Sequence, residues 1–202
     1  MVAEAVYKKQ ESSTKKTYSL IEYLELEERS QVKHEYHQGQ IVRMPGGKAK
    51  HSEIATNIAT AIKWSLKPLP KKFRVYNSDL KIYIEAKNKS VYPDALVICE
   101  EPLYWNGRED LIVNPLLIVE VASKSTKTYD RGDKFLLYEM LPSFKEYLLV
   151  EQDKAHVETW FRESDELWRK TIVSENIDQN VLLRSLGISI NLSEIYENIS
   201  FK

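Results

Sequence analysis

Apolar residues at helical spacing predict several helices along the chain. In residues 51–66, Ile54, Ile58 and Ile62 recur every fourth position and therefore form one apolar stripe. Similar patterns, together with a Ser cap before the first helix and Pro residues after the second and third, give the other helices. The predicted helices cover residues 19–29, 51–66, 130–141 and 192–198.

Strands are predicted where apolar residues alternate with polar ones or form short unbroken runs. Alternation around Gln38-Gly39 indicates a hairpin within residues 34–44. Residues 92–99 and 116–122 are almost wholly apolar, which is typical of central strands covered on both faces. Further strands or apolar stretches are predicted at residues 80–85, 146–150, 156–161, 167–173 and 181–186. This order predicts an α/β or α+β fold with a mixed central sheet flanked by helices.

Length and composition fit one globular domain. The chain has 202 residues, of which 43% are hydrophobic and 29% charged. Residues 1–17 are polar and rich in Lys, Ser and Thr, so we expect a flexible N-terminal tail before a single domain at residues 18–202. The N-terminus lacks a signal-peptide pattern, and no apolar run approaches the roughly 20 residues of a membrane span. A cytoplasmic location is the default expectation.

Charge and cysteine content narrow the classes of function. The formal net charge of −1 argues against a protein that coats DNA, but it permits a nuclease with one basic groove. Cys99 is the single cysteine, so an internal disulfide is excluded, and no Cys/His cluster has the spacing of a zinc site. We interpret Cys99 as a small core residue.

Two acidic residues interrupt the apolar strands. Asp94 follows Pro93 at the start of one run, and Glu120 lies in the middle of the other. A carboxylate in a buried strand is costly unless it is paired or bound to a cation. Magnesium and manganese prefer carboxylate oxygens, so the pair predicts a site for one of these ions. The alternatives are an edge position or an Arg partner for Glu120, and a turn cap for Asp94.

Basic residues follow the second acid. Lys134 lies on the predicted helix one turn from Tyr138, and such an ammonium can offset the charge that develops when a phosphodiester is cut. Lys124, Lys127 and Arg131 are candidates for contacts with DNA phosphates. A second basic stretch can extend this groove or form a solvated surface; it contains Lys63, Lys67, Lys71, Lys72 and Arg74.

Several segments together resemble the Uma-two family of the PD-(D/E)xK nuclease superfamily. The matching segments are Glu35-Tyr36-x-x-Gly39, His51 opening a helix, Pro93-Asp94-Ala95-Leu96-Val97, Ile118-Val119-Glu120-Val121-Ala122-Ser123, Tyr129-Asp130-Arg131-x-x-Lys134-x-x-x-Tyr138 and Glu146-Tyr147-Leu148-Leu149-Val150. The resemblance covers residues 18–195. It implies a restriction-endonuclease-like fold and a metal-dependent endonuclease acting on DNA, with Asp94 and Glu120 as the acidic pair.

The chain departs from the superfamily pattern at one position. The residue two after the second acid should be lysine, and here it is Ala122. The resemblance suggests that Lys134 supplies the amine instead, since a lysine stem is long and flexible. Glu35 is a candidate early acid near the metal, or else a surface acid of the hairpin. His51 is a candidate for contact with phosphate or a metal-bound water, or else a helix cap or a surface residue.

Two other classes of function remain open. The first is an inactive nucleic-acid-binding or regulatory protein that keeps the nuclease fold, which Ala122 favours. The second is a structural or dimerisation module using the strands near residues 156–161. A symmetric homodimer would suit the cutting of both strands of a duplex.

Overall fold

The structure, a computed structural model, describes residues 16–124, 126–174 and 176–201. Most of the predicted tail, residues 1–15, lies outside the described residues. The helices are α1 Leu20–Arg29, α2 Ala49–Leu66, α3 Lys127–Tyr129, α4 Phe135–Tyr138 and α5 Leu192–Ile195. The strands are β1 His34–His37, β2 Gln40–Arg43, β3 Phe73–Asn77, β4 Lys81–Ile84, β5 Lys89–Val91, β6 Ala95–Cys99, β7 Leu111–Ile112, β8 Leu117–Ala122, β9 Glu146–Glu151, β10 His156–Ser164, β11 Leu167–Ser174, β12 Asn180–Leu183 and β13 Ile188–Asn191.

A six-stranded mixed sheet has the order β11-β10-β9-β8-β6-β3. Within it β8 and β9 are parallel, with Glu120 opposite Leu149 and Ala122 opposite Glu151, and the other neighbours are antiparallel. Parallel neighbours need a crossover connection. Residues 127–138 lie in that crossover; they comprise α3, a π-helical turn at Asp130–Lys134, and α4. This helical segment, called the crossover segment below, follows directly on the strand that carries Glu120.

The two faces of this sheet are covered differently. On one face, Val119 and Val121 of β8 pack with Ile58 of α2, and the β12–β13 hairpin and α5 complete that core. On the other face, Ile118 and Ala122 pack in a core that includes Leu137 and Tyr138 of α4. Because side chains alternate along a strand, Glu120 faces the crossover segment rather than α2.

A second sheet, of order β2-β1-β5-β4-β7, carries the N-terminal part of the chain. Its β1–β2 hairpin turns at Gln38 and Gly39, which have positive φ angles of 51° and 92°. Positive φ at both residues is typical of the two-residue turn that matches the right-handed twist of the flanking strands. Helix α1 begins with a capping box between Ser19 and Glu22 and packs Tyr23 against Tyr36 of β1.

The mixed sheet flanked by helices confirms the predicted fold class, but several local predictions differ. Strand β3 was not predicted. Its residues follow a Pro- and Lys-rich stretch, and the strand lies at one edge of the sheet. The helix expected at 130–141 is shorter and broken by the π turn, and the stretch at 181–186 belongs to a two-stranded hairpin. Cys99 is half-buried at the end of β6 rather than fully in the core. Among the described residues, no helix combines the length and apolarity needed to cross a membrane.

Candidate active site

Asp94 is fixed by the backbone of the neighbouring strand β8. It immediately precedes β6, and its N–H donates to the Val119 carbonyl at 3.1 Å. Its carboxylate Oδ2 accepts from the Val121 N–H at 2.7 Å. These two contacts on either side of Glu120 hold Asp94 beside the middle of β8, so the two acids predicted from the sequence are brought onto adjacent strand positions.

Glu120 is buried in the interface between β8 and the crossover segment. Only 3% of the surface of Glu120 is exposed. Oε1 accepts from the Tyr138 hydroxyl at 2.7 Å and lies 2.7 Å from the Lys134 ammonium. Within the described residues, Oε2 accepts no hydrogen bond. One carboxylate oxygen is therefore held by two partners from the helical segment, while the other remains open to a further ligand.

Lys134 is almost fully buried, with 7% of its surface exposed. It ends the π-helical turn, an irregularity that often accompanies functional sites. Its contact with Glu120 confirms the predicted proximity of the two side chains, while its catalytic role stays a prediction. Tyr138 is fully buried, and its hydroxyl donates a hydrogen bond to Glu120.

The two secondary candidates occupy different positions. His51, in the first turn of α2, places Nε2 2.9 Å from Asp94 Oδ1. Glu35 on β1 contacts the His37 ring at 2.9 Å, and its charge also raises the pKa of Lys134. His51 thus contacts Asp94 directly, whereas Glu35 influences Lys134 through its negative charge.

The site contains more carboxyl groups than ammonium groups, and burial raises the pKa of its acids. Burial raises the pKa of Glu120 to about 8, outweighing the attraction of Lys134. Burial likewise raises the pKa of Asp94 and of Asp130. Burial alone would lower the pKa of Lys134, but the carboxylates of Glu120, Glu35 and Asp130 raise it. Four carboxylates interact with one ammonium, an arrangement that a divalent cation would stabilise.

A pH dependence of stability follows for the metal-free protein. Because the folded-state pKa of Glu120 is raised from 4.5 to about 8, the folded chain holds a proton that the unfolded chain releases. Stability should therefore fall as pH rises from about 4.5 to about 8 and then level off. The fall is several kcal/mol at most, since one pKa unit corresponds to about 1.4 kcal/mol.

Chemical denaturation of the metal-free protein at pH 5, 6.5 and 8 measures this slope. Glu120→Gln should remove most of it, because glutamine does not titrate. Glu53→Gln, on the exposed face of α2, is the matched control and should leave the slope unchanged. A slope as steep in Glu120→Gln as in the unaltered protein would contradict this assignment.

The three basic residues predicted to contact DNA differ in their surroundings. Lys124 is exposed directly after β8. Lys127 forms an ion pair with Glu151, and Arg131 donates from Nε to Glu158 at 3.0 Å, with a second contact from its terminal nitrogen. Lys127 and Arg131 are therefore already paired with acids of the sheet.

Glu151, His156 and Glu158 form a second cluster that sequence reasoning did not single out. Their potential ligand atoms lie within 4.8 Å of one another. The cluster is, however, surrounded by the cations of Lys127, Arg131 and Lys170. A metal ion would have to displace these partners, which disfavours a cation at this cluster.

Asp130 is a further acid that the sequence placed in a motif without giving it a role. It is buried, and its backbone carbonyl accepts from the Tyr147 hydroxyl at 2.9 Å. Its position four residues before Lys134 was the available signal, because residues at that spacing share a helix face.

The protein combines a mixed sheet with an acid before one strand, an acid within the neighbouring strand and a lysine on the crossover segment. This combination defines a restriction-endonuclease-like protein. The chain belongs to the Uma2 family, described as "Putative restriction endonuclease", whose model matches residues 20–193.

Similar proteins cover nearly the whole domain. "Uncharacterized protein slr1290" of Synechocystis is 36% identical over 180 residues, which are 89% of this chain and 92% of that protein. "Uncharacterized protein sll1609" of the same organism is 32% identical over 167 residues, covering 82% and 93%. A crystal structure from Anabaena variabilis, of "a putative nuclease belonging to DUF820", has a TM-score of 0.70 at 19% identity and covers 91% of this chain and 99% of that one. This likeness supports the shared fold.

Proposed function

We propose that this chain is an endonuclease that hydrolyses phosphodiester bonds of DNA with Mg²⁺ or Mn²⁺. The observation that carries the proposal is the placement of Asp94 beside Glu120 on neighbouring strands, with the Lys134 ammonium 2.7 Å from the buried Glu120 carboxylate. Membership of the family described as "Putative restriction endonuclease" supports the same reaction class. Asp94, Glu120 and Lys134 are the proposed catalytic groups, with His51 and Glu35 beside them.

The residues present fit a divalent cation. Asp94 and Glu120 offer carboxylate oxygens, the ligands that Mg²⁺ and Mn²⁺ prefer, and the excess of carboxylates over cations favours additional positive charge. When bound, such an ion supplies Lewis acidity toward the phosphate and the attacking water. The Val121 N–H and His51 orient the Asp94 carboxylate for this ligation.

The protein's own side chains supply the remaining chemistry. Lys134 brings a buried ammonium beside the acids, where it offsets negative charge that develops on the phosphate. Tyr138 holds the Glu120 carboxylate in place by its hydroxyl hydrogen bond. Because Lys134 reaches Glu120 from the crossover segment, the missing lysine at position 122 does not preclude this chemistry.

A second candidate function is DNA binding without cleavage. The observation that favours it is Ala122, a small buried residue where the superfamily pattern has lysine. In that case the paired Lys134 and Glu120 would serve only to stabilise the fold.

The test of the proposal is cleavage of supercoiled plasmid DNA by purified protein with Mg²⁺ or Mn²⁺. Cleavage that stops on chelation and is absent in Glu120→Gln supports the nuclease. DNA binding without cleavage, in either metal, would identify the second candidate. RNA of the same sequence, assayed in parallel, tests the choice of DNA as substrate, and sedimentation with and without duplex tests the proposed homodimer.

DNA affinity should depend on salt mainly through the exposed Lys124. Neutralising one phosphate contact changes the slope of log affinity against log salt by about 0.9, so Lys124→Ala should flatten it by about that amount. Lys127→Ala is the matched comparison; it should change the slope less, because Lys127 is already paired with Glu151. An equal effect of the two variants would mean that Lys127 exchanges Glu151 for phosphate.

A further inference from the structure

We propose that Glu151 and Glu158 are positioning residues for Lys134: they hold the start of the crossover segment on the sheet and so keep the Lys134 ammonium on Glu120. The assignment rests on the proposed function, since Lys134 has its catalytic task only there. Neither acid touches Glu120 in the contacts described, so their influence passes through the crossover segment.

The crossover segment meets the sheet along one row of polar side chains. Lys127, Arg131, Lys134 and Tyr138 are spaced four, three and four residues apart, the spacing of a single helix face. Each contacts a carboxylate of the sheet: the first two reach Glu151 and Glu158, and the last two reach Glu120. The register of β8 with β9 places Glu151 beside Ala122, two residues beyond Glu120. The two groups of contacts are therefore neighbours along one helical face.

The first half of this segment has no apolar anchor of its own. In residues 127–134, the buried side chains are Asp130 and Lys134, both charged. Apolar anchoring begins at Phe135 in α4, whose ring packs against Tyr147 and Trp168. A helical segment of this length is marginal in isolation, and here it is also interrupted by a π turn. Between the Ser123–Thr126 hydrogen bonds at its start and Lys134 at its end, residues 127–131 are therefore held on the sheet by the ion pairs to Glu151 and Glu158 and by the Tyr147 hydrogen bond to the Asp130 carbonyl.

The acids that receive these ion pairs are themselves rigidly placed. The side chains of Glu151 and Glu158 are only 8% and 4% exposed. Glu158 accepts from Arg131 Nε at 3.0 Å, from Lys170 at 2.8 Å and from the His156 ring at 3.2 Å. Burial alone would raise the pKa of Glu158, but these hydrogen bonds lower it to about 2, so it stays ionised in neutral solution. Removing one partner of such a buried pair leaves an uncompensated group and loosens the element that supplied it.

The chain offers a matched pair of variants. Glu158→Gln removes the charge that holds Arg131 and, through it, the crossover segment. Lys170→Met removes another partner of Glu158, but one that comes from β11 and not from the crossover segment. If Glu158→Gln fails to fold, Arg131→Met removes the helical half of the same pair at a side chain that is 36% exposed.

The readout is the rate at which Lys134 is acetylated in the folded, metal-free protein, followed by mass spectrometry. The rate should rise about tenfold in Glu158→Gln and in Arg131→Met, as expected for loss of a charged hydrogen bond, and stay within about twofold in Lys170→Met. In cleavage assays, kcat should fall about tenfold in the first two variants with little change in KM, since the misplaced group acts on the reaction and not on binding. Amide exchange of residues 127–134 should accelerate in parallel.

The outcomes separate the two proposals. Unchanged acetylation of Lys134 in both folded variants, or an equal rise in Lys170→Met, would overturn the positioning role. Absence of cleavage by the unaltered protein would overturn the proposed function alone. The acetylation rates measure how firmly the Lys134 ammonium is held in its buried position, whether or not DNA is cut.

Discussion

Replacing Lys134 with alanine is expected to slow DNA cleavage by a factor of about 10² to 10³, the usual loss for one preorganised electrostatic stabiliser. The ammonium lies 2.7 Å from Glu120 in a buried site, where its charge is poorly screened. Binding of Mn²⁺ should be retained, because Lys134 supplies no ligand and its removal leaves more negative charge for the ion to offset. Single-turnover cleavage and calorimetric Mn²⁺ titration measure the two quantities.

Two further variants define what the lysine contributes. Lys134→Arg should restore little activity, since a planar guanidinium does not replace a compact ammonium in a closed space. Lys124→Ala removes a charge of the same sign from an exposed position near the site and should leave the single-turnover rate at saturating DNA nearly unchanged. Equal rate losses at Lys124 and Lys134 would show that Lys134 acts only through net charge, contrary to the proposed role.

Exchange of Asp94 for asparagine is expected to abolish both Mn²⁺ binding and cleavage. A divalent ion contributes several kcal/mol to the stabilisation of the reaction, so the rate should fall by about 10³ or more. The side-chain carbonyl of asparagine can still accept the Val121 N–H, which preserves the local fold. Isothermal titration with Mn²⁺ and plasmid nicking are the measurements, with circular dichroism to verify folding.

His51→Ala is the matched control for this exchange. It removes the contact to Asp94 Oδ1 but leaves the carboxylate, so Mn²⁺ affinity should fall far less than in Asp94→Asn. Full Mn²⁺ affinity in Asp94→Asn would place the ion elsewhere, and the Glu151–His156–Glu158 cluster would then be the next candidate.

The site residues that could be predicted from the sequence are those that differ in polarity from their neighbours. Asp94 and Glu120 stand out because each interrupts an apolar run, and two such runs of central-strand character are expected to lie close together. Lys134 could be expected nearby because a crossover helix packs back on its own sheet. The resemblance to a nuclease family supplied the choice among the lysines.

The remaining contacts could not be predicted, because they join segments that are far apart in the sequence. Glu158 looks like an ordinary polar residue in an alternating strand, and only the packing of Arg131 and Lys170 on it makes it a buried acid. Strand β3 was missed for a similar reason. It is short and follows a Pro- and Lys-rich stretch, and its pairing with β6 places it in the sheet.

The displacement of the lysine from position 122 to position 134 has a consequence for recognising such chains by pattern. A search that demands a lysine two residues after the second acid passes over this chain, since the acid and the amine are 14 residues apart. Their side chains nevertheless meet, because the crossover segment packs over the strand that carries the acid. A helix that crosses over the sheet can thus bring an ammonium to the acid of a strand that has no lysine two residues further on.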